Sequence, residues 1–282
     1  SFEEGYSSDA SPIVQSGLLQ KAVDLVKRSD VAIVVLGEDV KIVGEGKDRA
    51  NLDLDETQMA TVKAIKETGK PVIVVLANGR PLTVNWIAKN IPAIVESWRA
   101  GEKGGLAIAD VILGKVNPSG KLPITFPRSV GQLPFYYDHK PTSRHKYVDE
   151  ESTPLFPFGH GLSYTSFGYS DLQITPSKIP VNGSAEISIK IRNTGATEGT
   201  EVVQLYIRDM VGSVTTPEIS LKGFNRITLK PGESGTVNFK VGPEQLSLWN
   251  RAMKRVVEPG EFKIMIGSSS ADIRQKGSLW VY

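Results

Sequence analysis

The first 120 residues alternate between helical and strand patterns of apolar positions. Apolar residues recur at helical spacing over 18–26, and the short apolar run 31–36 follows. The same order returns with a helical pattern over 59–66 and a run over 72–76. Each helical pattern therefore predicts a helix that leads into a buried strand.

A third unit of the same kind follows Pro81, with a short helix, a strand over 93–97 and a helix over 106–113. Asp53 or Asp55 stands where the second helix would be capped. Continuous β-branched strands separated by amphipathic helices are typical of a largely parallel sheet. We therefore predict an α/β sandwich with helices on both faces of the sheet.

The loops after the predicted strands are where chemistry is expected. In open parallel sheets, ligands bind beyond the carboxyl ends of the strands, which here are the loops after Leu36, Ala77 and Ser97. The first of these loops is long, spanning 37–52. Its polar residues are Glu38, Asp39, Glu45, Asp48 and Arg49.

The amino-acid composition of the chain changes at about residue 117. Prolines and aromatic residues dominate as far as residue 167, which excludes long helices and favours a packed segment over a solvated linker. From residue 169, about seven short strand patterns alternate with turn signals, as in an immunoglobulin-like sandwich. We predict an α/β domain over 1–121, an interdomain segment over 122–167 and an all-β sandwich over 168–282.

Composition narrows the function classes. The net charge is +2, with scattered Lys and Arg, so nucleic acid and anionic membranes are not expected partners. The chain has no cysteine, which excludes disulfides and thiol nucleophiles. The apolar runs are far shorter than the roughly 20 residues of a membrane helix. Because the chain begins at Ser1 without a secretory signal, we expect that something upstream has been removed.

Several phrases, in a fixed order, resemble the C-terminal half of family 3 glycoside hydrolases of the β-glucosidase type. The resemblance extends over nearly all of the chain. In the α/β part and the segment after it, the phrases lie at 34–38, 45–49, 69–72, 78–81, 117–123, 126–132 and 156–165. In the sandwich, they lie at 193–195, 201–206, 221–224, 229–233 and 258–260.

The resemblance implies an α/β sandwich followed by a fibronectin-III-like domain. It also implies hydrolysis of terminal, non-reducing β-D-glycosyl residues, with a β-linked oligosaccharide or glycoside as the substrate. Family members of this layout have an upstream (β/α)8 barrel that binds the sugar and supplies an Asp nucleophile, and nothing in these residues matches it. We therefore expect an upstream or separate barrel as a partner, and a chain that is inactive alone.

Retaining glycosidases need two carboxyl groups about 5 to 5.5 Å apart, one of which protonates the leaving oxygen. The family places this acid/base on the loop that matches 44–49, which implies Glu45. A carboxyl group on a Gly-flanked loop can reach across a domain boundary, and closure against a barrel would favour its protonated form. The alternative is that Glu45 is an ordinary solvated loop residue.

The other polar residues of this loop have two interpretations each. Glu38 directly follows a strand, so it could bind substrate or fix the loop. Asp48 and Arg49 lie close to Glu45, where an internal ion pair would shape the loop; direct sugar contact is the alternative. Arg144, Tyr147 and Asp149 are interpreted as interdomain packing, with contact to the far end of a substrate as the alternative.

No cofactor or metal is expected. The histidines His139, His145 and His160 have no metal-ligand spacing, and no glycine-rich phosphate loop follows a strand. Aromatic residues could stack on sugar rings, although in a proline-rich segment they more often form core. These are Trp98, Phe135, Tyr136 and Tyr137.

Two other functions remain open at this point. The chain could be a non-catalytic carbohydrate-binding or scaffold module, or a free-standing flavodoxin-like domain. The sequence does not choose between glucosides and xylosides, and it leaves open whether the chain forms a homo-oligomer. The habits of the family favour an extracytoplasmic location, periplasmic or secreted.

Overall fold

The computed structural model describes residues 1–7, 9–142 and 146–282. Contacts divide the chain into two compact units, the first formed by Ser1–Ile112 with Phe126–Leu133 and the second by Leu113–Thr125 with Pro134–Tyr282. The predicted interdomain segment is thus shared between the units, and the predicted domain boundaries stay a prediction. Arg144 and His145 lie outside the described residues.

The first unit is a small parallel α/β fold. Its elements are α1 (Pro12–Lys27), β1 (Ala32–Gly37), α2 (Glu56–Glu67), β2 (Val72–Ala77), α3 (Asn85–Asn90), β3 (Ala93–Glu96) and α4 (Gly104–Ile112). Short 3-10 helices lie at Val40–Ile42 and Val130–Gln132. The strands are parallel in the order β1-β2-β3, with Val34 opposite Val74 and Val74 opposite Ile94. The predicted parallel sheet is confirmed.

Local sequence sets the helix ends. Ser11 caps α1, and Pro12 occupies its first turn, where a missing N–H costs nothing. Of the two predicted caps for α2, Asp55 is the one observed, and it accepts a hydrogen bond from the backbone N–H of Thr57 at 2.8 Å. Gly69, with φ of +77°, follows the helix at a conformation that suits glycine.

In the first unit, the middle strand β2 is covered on both faces, whereas β1 buries one face and exposes the other. Alternate residues of β1 are buried, while Ile33 and Val35 between them are 52% and 66% exposed. The middle strand β2 is almost wholly buried, with Val74 and Val75 at 0% exposure. Each such side chain contributes about 1.5–3 kcal/mol to folding. The buried β2 therefore holds β1 and β3 on either side of it, and the carboxyl ends of the three parallel strands lie together.

The second unit is the β-sandwich. Its strands are β4 (Phe167–Thr175), β5 (Lys178–Ile179), β6 (Ala185–Asn193), β7 (Gly199–Asp209), β8 (Ser220–Leu229), β9 (Ser234–Val241), β10 (Leu248–Trp249), β11 (Arg255–Val256), β12 (Gly260–Ser269) and β13 (Asp272–Val281). A short helix, α5 (Pro243–Leu246), precedes β10.

Two sheets pack around the sandwich core. One has the order β5-β13-β12-β7-β8 and the other β4-β6-β9, while β10 and β11 form a separate hairpin. Strand β6 alternates strictly between buried and exposed positions, and its Ile187, Ile189 and Ile191 are fully buried. This period of two is the pattern of a strand with one face on a core. The predicted all-β sandwich is confirmed.

Candidate active site

Glu38 lies at the carboxyl end of β1 and is the centre of a charge cluster. Its backbone N–H donates to the Ala77 carbonyl at 3.1 Å, which extends the pairing of β1 with β2 by one residue. Its side chain is 1% exposed. The strand register thus places a carboxylate inside the first unit, where it needs several donors to offset the loss of water.

Two arginines and one backbone amide supply those donors. Arg80 Nε lies 2.9 Å from Glu38 Oε1, and Arg49 Nη1 lies 3.4 Å from the same oxygen. The N–H of Gly79 donates to Oε2 at 3.1 Å. Arg99 adds a 3.1 Å hydrogen bond to the Glu38 carbonyl. Glu38 therefore ties the loop after β1 to the loop after β2.

Arg80 also bonds the backbone of the long loop. Its Nη1 donates to the carbonyl of Lys47 at 3.3 Å, and its Nη2 donates to the carbonyl of Ile42 at 3.2 Å. Ile42 and Lys47 lie on either side of Glu45 in the sequence. A single guanidinium group thus joins both flanks of the loop to the Glu38 carboxylate.

Glu45 forms the tip of this loop and is exposed. Its neighbours Gly44 and Gly46 have φ of +128° and +71°, values that side chains disfavour, and the N–H of Lys47 donates to the Gly44 carbonyl at 3.1 Å to close a turn. Among the residues that the structure describes, none forms a hydrogen bond or an ion pair with the Glu45 carboxylate. This carboxylate is therefore presented to solvent on an anchored backbone.

The rest of the loop is fixed at its far end. Arg49 Nη2 donates to the Asp53 carbonyl at 2.8 Å, and the N–H of Thr83 donates to the Leu52 carbonyl at 3.0 Å. Asp48 is exposed. The internal ion pair of this loop is therefore formed by Arg49 with Glu38, and the described contacts give Asp48 no part in it.

A second carboxyl group, half-buried, lies at the end of β3. Glu96 accepts hydrogen bonds from the backbone N–H of Trp98 at 3.0 Å and from Asn78 Nδ2 at 3.3 Å. Burial raises the pKa of Glu96 to about 7, and these two hydrogen bonds oppose the increase. The Asn78 amide also donates to the Arg80 carbonyl at 2.9 Å, so it links Glu96 to the residue that supports the loop.

The sequence analysis missed Arg80 and Glu96 as members of the site. Arg80 lies within one of the resembling phrases, 78–81, but was given no role there. Glu96 stands directly before Ser97, after which one of the three loops expected to carry chemistry begins. The sequence feature that could have indicated Arg80 and Glu96 is their position at or just after the end of a predicted strand. It could have marked both residues, because each belongs to the edge where β2 or β3 stops.

A cavity of about 770 Å³ opens beside this edge of the first unit. Glu38, Asp39 and Arg49 line one part of it, and the rest is lined by the N-terminal segment, by other residues of the long loop, by the segment before α2, and by α1 and α2. Glu45 is not among the lining residues. The exposed tip of the loop and the cavity are thus separate features of this unit.

Two of the four aromatic candidates, Trp98 and Tyr137, have structural contacts, whereas Tyr136 is 64% exposed. The rings of Trp98 and Phe126 are tilted against each other at 5.8 Å. Tyr137 stacks on Phe158 at 4.0 Å, and its hydroxyl accepts a hydrogen bond from the Leu221 N–H at 3.2 Å. These contacts support a packing role for Trp98 and Tyr137.

Comparison with known proteins identifies the family. The family model described as the glycosyl hydrolase family 3 C-terminal domain matches residues 8–164, which is more than half of the chain. The chain belongs to glycoside hydrolase family 3. A fibronectin type III-like domain matches residues 201–270, so the sandwich of this family 3 chain is also assigned.

Relatives in family 3 are β-xylosidases and β-glucosidases. A β-xylosidase from Formosa agariphila is 50% identical over 254 residues, covering 89% of this chain and 35% of the relative. A periplasmic β-glucosidase from Salmonella typhimurium is 43% identical over 285 residues, covering 97% of this chain and 37% of the relative. The family 3 chain thus spans little more than a third of either protein.

A solved structure shows the same architecture. A β-glucosidase from Erythrobacter marinus superposes with a TM-score of 0.91 at 41% identity, covering 98% of this chain and 38% of that one. This family 3 chain therefore shares an α/β unit followed by a fibronectin-III-like sandwich with a part of that longer chain. In the described part of the chain, no helix is long and apolar enough to cross a membrane.

Proposed function

We propose that this chain is the C-terminal part of a retaining β-glycosidase and supplies its acid/base, Glu45. The enzyme, β-glucosidase-like, would remove terminal non-reducing β-D-glycosyl residues from β-linked oligosaccharides or glycosides. A (β/α)8 barrel, upstream or in a separate chain, would bind the sugar and supply the Asp nucleophile. The names of the relatives, β-glucosidase and β-xylosidase, support this substrate class.

The observation that carries the proposal is the contrast between Glu45 and Glu38. The Glu38 carboxylate is 1% exposed and is already occupied by two guanidinium groups and a backbone N–H, which favours a structural role. The Glu45 carboxylate is exposed, and a glycine on each side lets its backbone adopt a sharp turn. A general acid must come within about 2.6–3.2 Å of the oxygen that it protonates. Glu45 meets this need when a second domain presents the substrate.

The chain alone is expected to be inactive. Hydrolysis with retention requires a nucleophile about 5 to 5.5 Å from the acid/base. This chain spans little more than a third of its relatives' length, which leaves room in such enzymes for the barrel that would carry the nucleophile. We also place the enzyme outside the cytoplasm, a location supported by the similarity to a relative named as periplasmic.

Substitution of Glu45→Gln tests the role of this residue in the enzyme assembled with its barrel. Two substrates are compared, a β-linked disaccharide, whose leaving group needs a proton, and a dinitrophenyl β-glucoside, whose leaving group does not. We expect kcat/KM to fall about 10²- to 10⁴-fold for the disaccharide and to change little for the dinitrophenyl glycoside. With the dinitrophenyl glycoside, added azide should restore the kcat of Glu45→Gln. Azide attacks the glycosyl-enzyme intermediate directly, in place of the water that the Glu45 base would activate.

Glu67→Gln is the matched control, since Glu67 is an exposed carboxylate on α2. It should leave both substrates unaffected. Full disaccharide activity in Glu45→Gln would reject the acid/base assignment, and absence of activity in the assembled wild-type enzyme would support a non-catalytic scaffold instead.

A further inference from the structure

We propose that Arg80 is a positioning residue for acid catalysis, because it sets the place of the loop tip that carries Glu45. This inference rests on the proposed function of Glu45. Arg80 would not contact the substrate. It would act through the backbone on both sides of the tip.

Each nitrogen of the Arg80 guanidinium group has its own acceptor. Nε faces the Glu38 carboxylate at 2.9 Å, Nη1 faces the Lys47 carbonyl at 3.3 Å and Nη2 faces the Ile42 carbonyl at 3.2 Å. The two carbonyl groups belong to residues that flank the tip, three positions before Glu45 and two after it. Their common donor fixes the separation of the two ends of the tip.

The tip has little other support. A Cβ atom added to Gly44 or Gly46 would meet no atom within 4 Å, so these residues project away from the rest of the unit. Within the tip, the structure shows the Lys47 N–H to Gly44 carbonyl bond, which closes the turn but does not attach it to the sheet. Among the described residues, Arg80 makes the hydrogen bonds that join residues 42–47 to the strand ends.

The position of Arg80 is itself fixed. Glu38 follows β1 and accepts from both Arg80 Nε and the N–H of Gly79, the residue before Arg80. The Asn78 amide holds the Arg80 carbonyl at 2.9 Å. The guanidinium plane is thus oriented by groups at the ends of two adjacent strands. Charge alone would not reproduce this arrangement, because a Lys ammonium group cannot direct three donors in the plane of a fork.

The test is the leaving-group dependence of Arg80→Lys and Arg80→Met in the enzyme assembled with its barrel. Misplacement of a catalytic group by about 1 Å can cost about 10²-fold. We expect kcat/KM for the disaccharide to fall about 10- to 100-fold, and kcat/KM for the dinitrophenyl glycoside to stay within about threefold. Glu45→Gln should show the same selectivity to a larger extent.

Two further variants separate positioning from stability. Val62→Ala opens a cavity beneath α2 but leaves every Arg80 bond in place, so it should lower stability without changing the ratio of the two substrates. Arg28→Met, an exposed arginine at the end of α1, should change neither quantity. An equal loss on both substrates in the Arg80 variants would indicate a structural role and overturn the proposal.

Hydrogen exchange on the isolated chain gives a readout that does not need activity. The Lys47 amide, which closes the tip turn, should exchange faster in Arg80→Met, while amides in β2 should keep their protection. Unchanged exchange at the tip would overturn the proposal even if activity fell. If Glu45→Gln shows no selectivity for the disaccharide but the tip exchange responds as expected, the failure belongs to the proposed function of Glu45 instead.

Discussion

The side-chain amide of Gln58 pairs with both polar groups of the Gly37 backbone. The Gly37 N–H donates to Gln58 Oε1 at 2.8 Å, and Gln58 Nε2 donates to the Gly37 carbonyl at 2.8 Å. Gln58 is on α2 and is buried. One amide thus takes the place of a neighbouring strand at the end of β1, immediately before Glu38.

Replacement of this amide should destabilise the first unit. In Gln58→Leu, the half-buried Gly37 N–H and carbonyl lose their side-chain partners, which costs about 1–3 kcal/mol. Urea unfolding measures the change in the free energy of unfolding. Gln20→Ala is the control, because among the described residues the Gln20 amide bonds the exposed Asp24 side chain; its free energy of unfolding should stay within about 0.5 kcal/mol of the wild-type value. Equal stability of Gln58→Leu and the wild type would show that this pair adds nothing.

The sequence predicted the strands of this unit but not the side-chain bonds that join them. Apolar runs marked β1 and β2 because burial of an entire strand leaves a continuous apolar segment. Gln58 and Gly37 are 21 residues apart, and Arg80 lies 33 residues from Lys47. Such contacts depend on where the side chains point after folding. In the sequence, Gln58 fits the pattern of its helix and Arg80 fits the pattern of its loop, so neither residue stands out.

Substitutions at Glu38 and Glu45 should separate stability from activity. Glu38→Gln leaves two guanidinium groups beside a neutral amide in a buried place, and we expect a loss of about 2–4 kcal/mol in the free energy of unfolding. Glu45→Gln changes an exposed, unpaired carboxylate and should cost less than about 0.5 kcal/mol. Thermal and urea unfolding of the two variants check this contrast. A stable Glu38→Gln protein would contradict the role of Glu38 as the centre of the cluster.

Glu96 should make stability depend on pH. Burial raises its pKa from 4.5 to about 7, so the folded chain binds this proton more tightly than the unfolded chain does. Its contribution is fully present below pH 4.5 and is lost as the pH rises to about 7. After allowance for partial exposure, we expect the free energy of unfolding to fall by about 1–2 kcal/mol across this range.

The measurement is urea unfolding at several pH values for the wild type and Glu96→Gln. Between pH 4.5 and 7, the free energy of unfolding of the wild type should fall relative to that of Glu96→Gln, because the amide of the variant does not titrate. Above this range, the difference between the two free energies should stay level. Parallel pH profiles would show that Glu96 ionises normally in the folded chain.

In the segment 156–165, which resembles family 3 sequences, one glycine is required by a packing contact that the sequence alone does not show. Gly159 has φ of +81° and lies against the buried amide of Gln204 on β7. Gln204 Nε2 donates to the carbonyls of Gly159 at 3.2 Å and Ser268 at 2.7 Å, and its Oε1 accepts from the Tyr206 hydroxyl. The sequence indicated that the phrase mattered, but a glycine in a loop and a glutamine in a strand give no sign of each other.

Gly159→Ala should therefore destabilise the sandwich. The new Cβ would overlap Gln204 Oε1, and the Gln204 side chain, 3% exposed, cannot move away without breaking its hydrogen bonds. Positive φ adds about 1–2 kcal/mol for a residue with a Cβ atom, and the disrupted amide adds about 1–3 kcal/mol. Gly120→Ala is the control, because its Cβ would meet no atom within 4 Å. If both variants unfold at the wild-type urea concentration, Gln204 is free to move and the packing explanation fails.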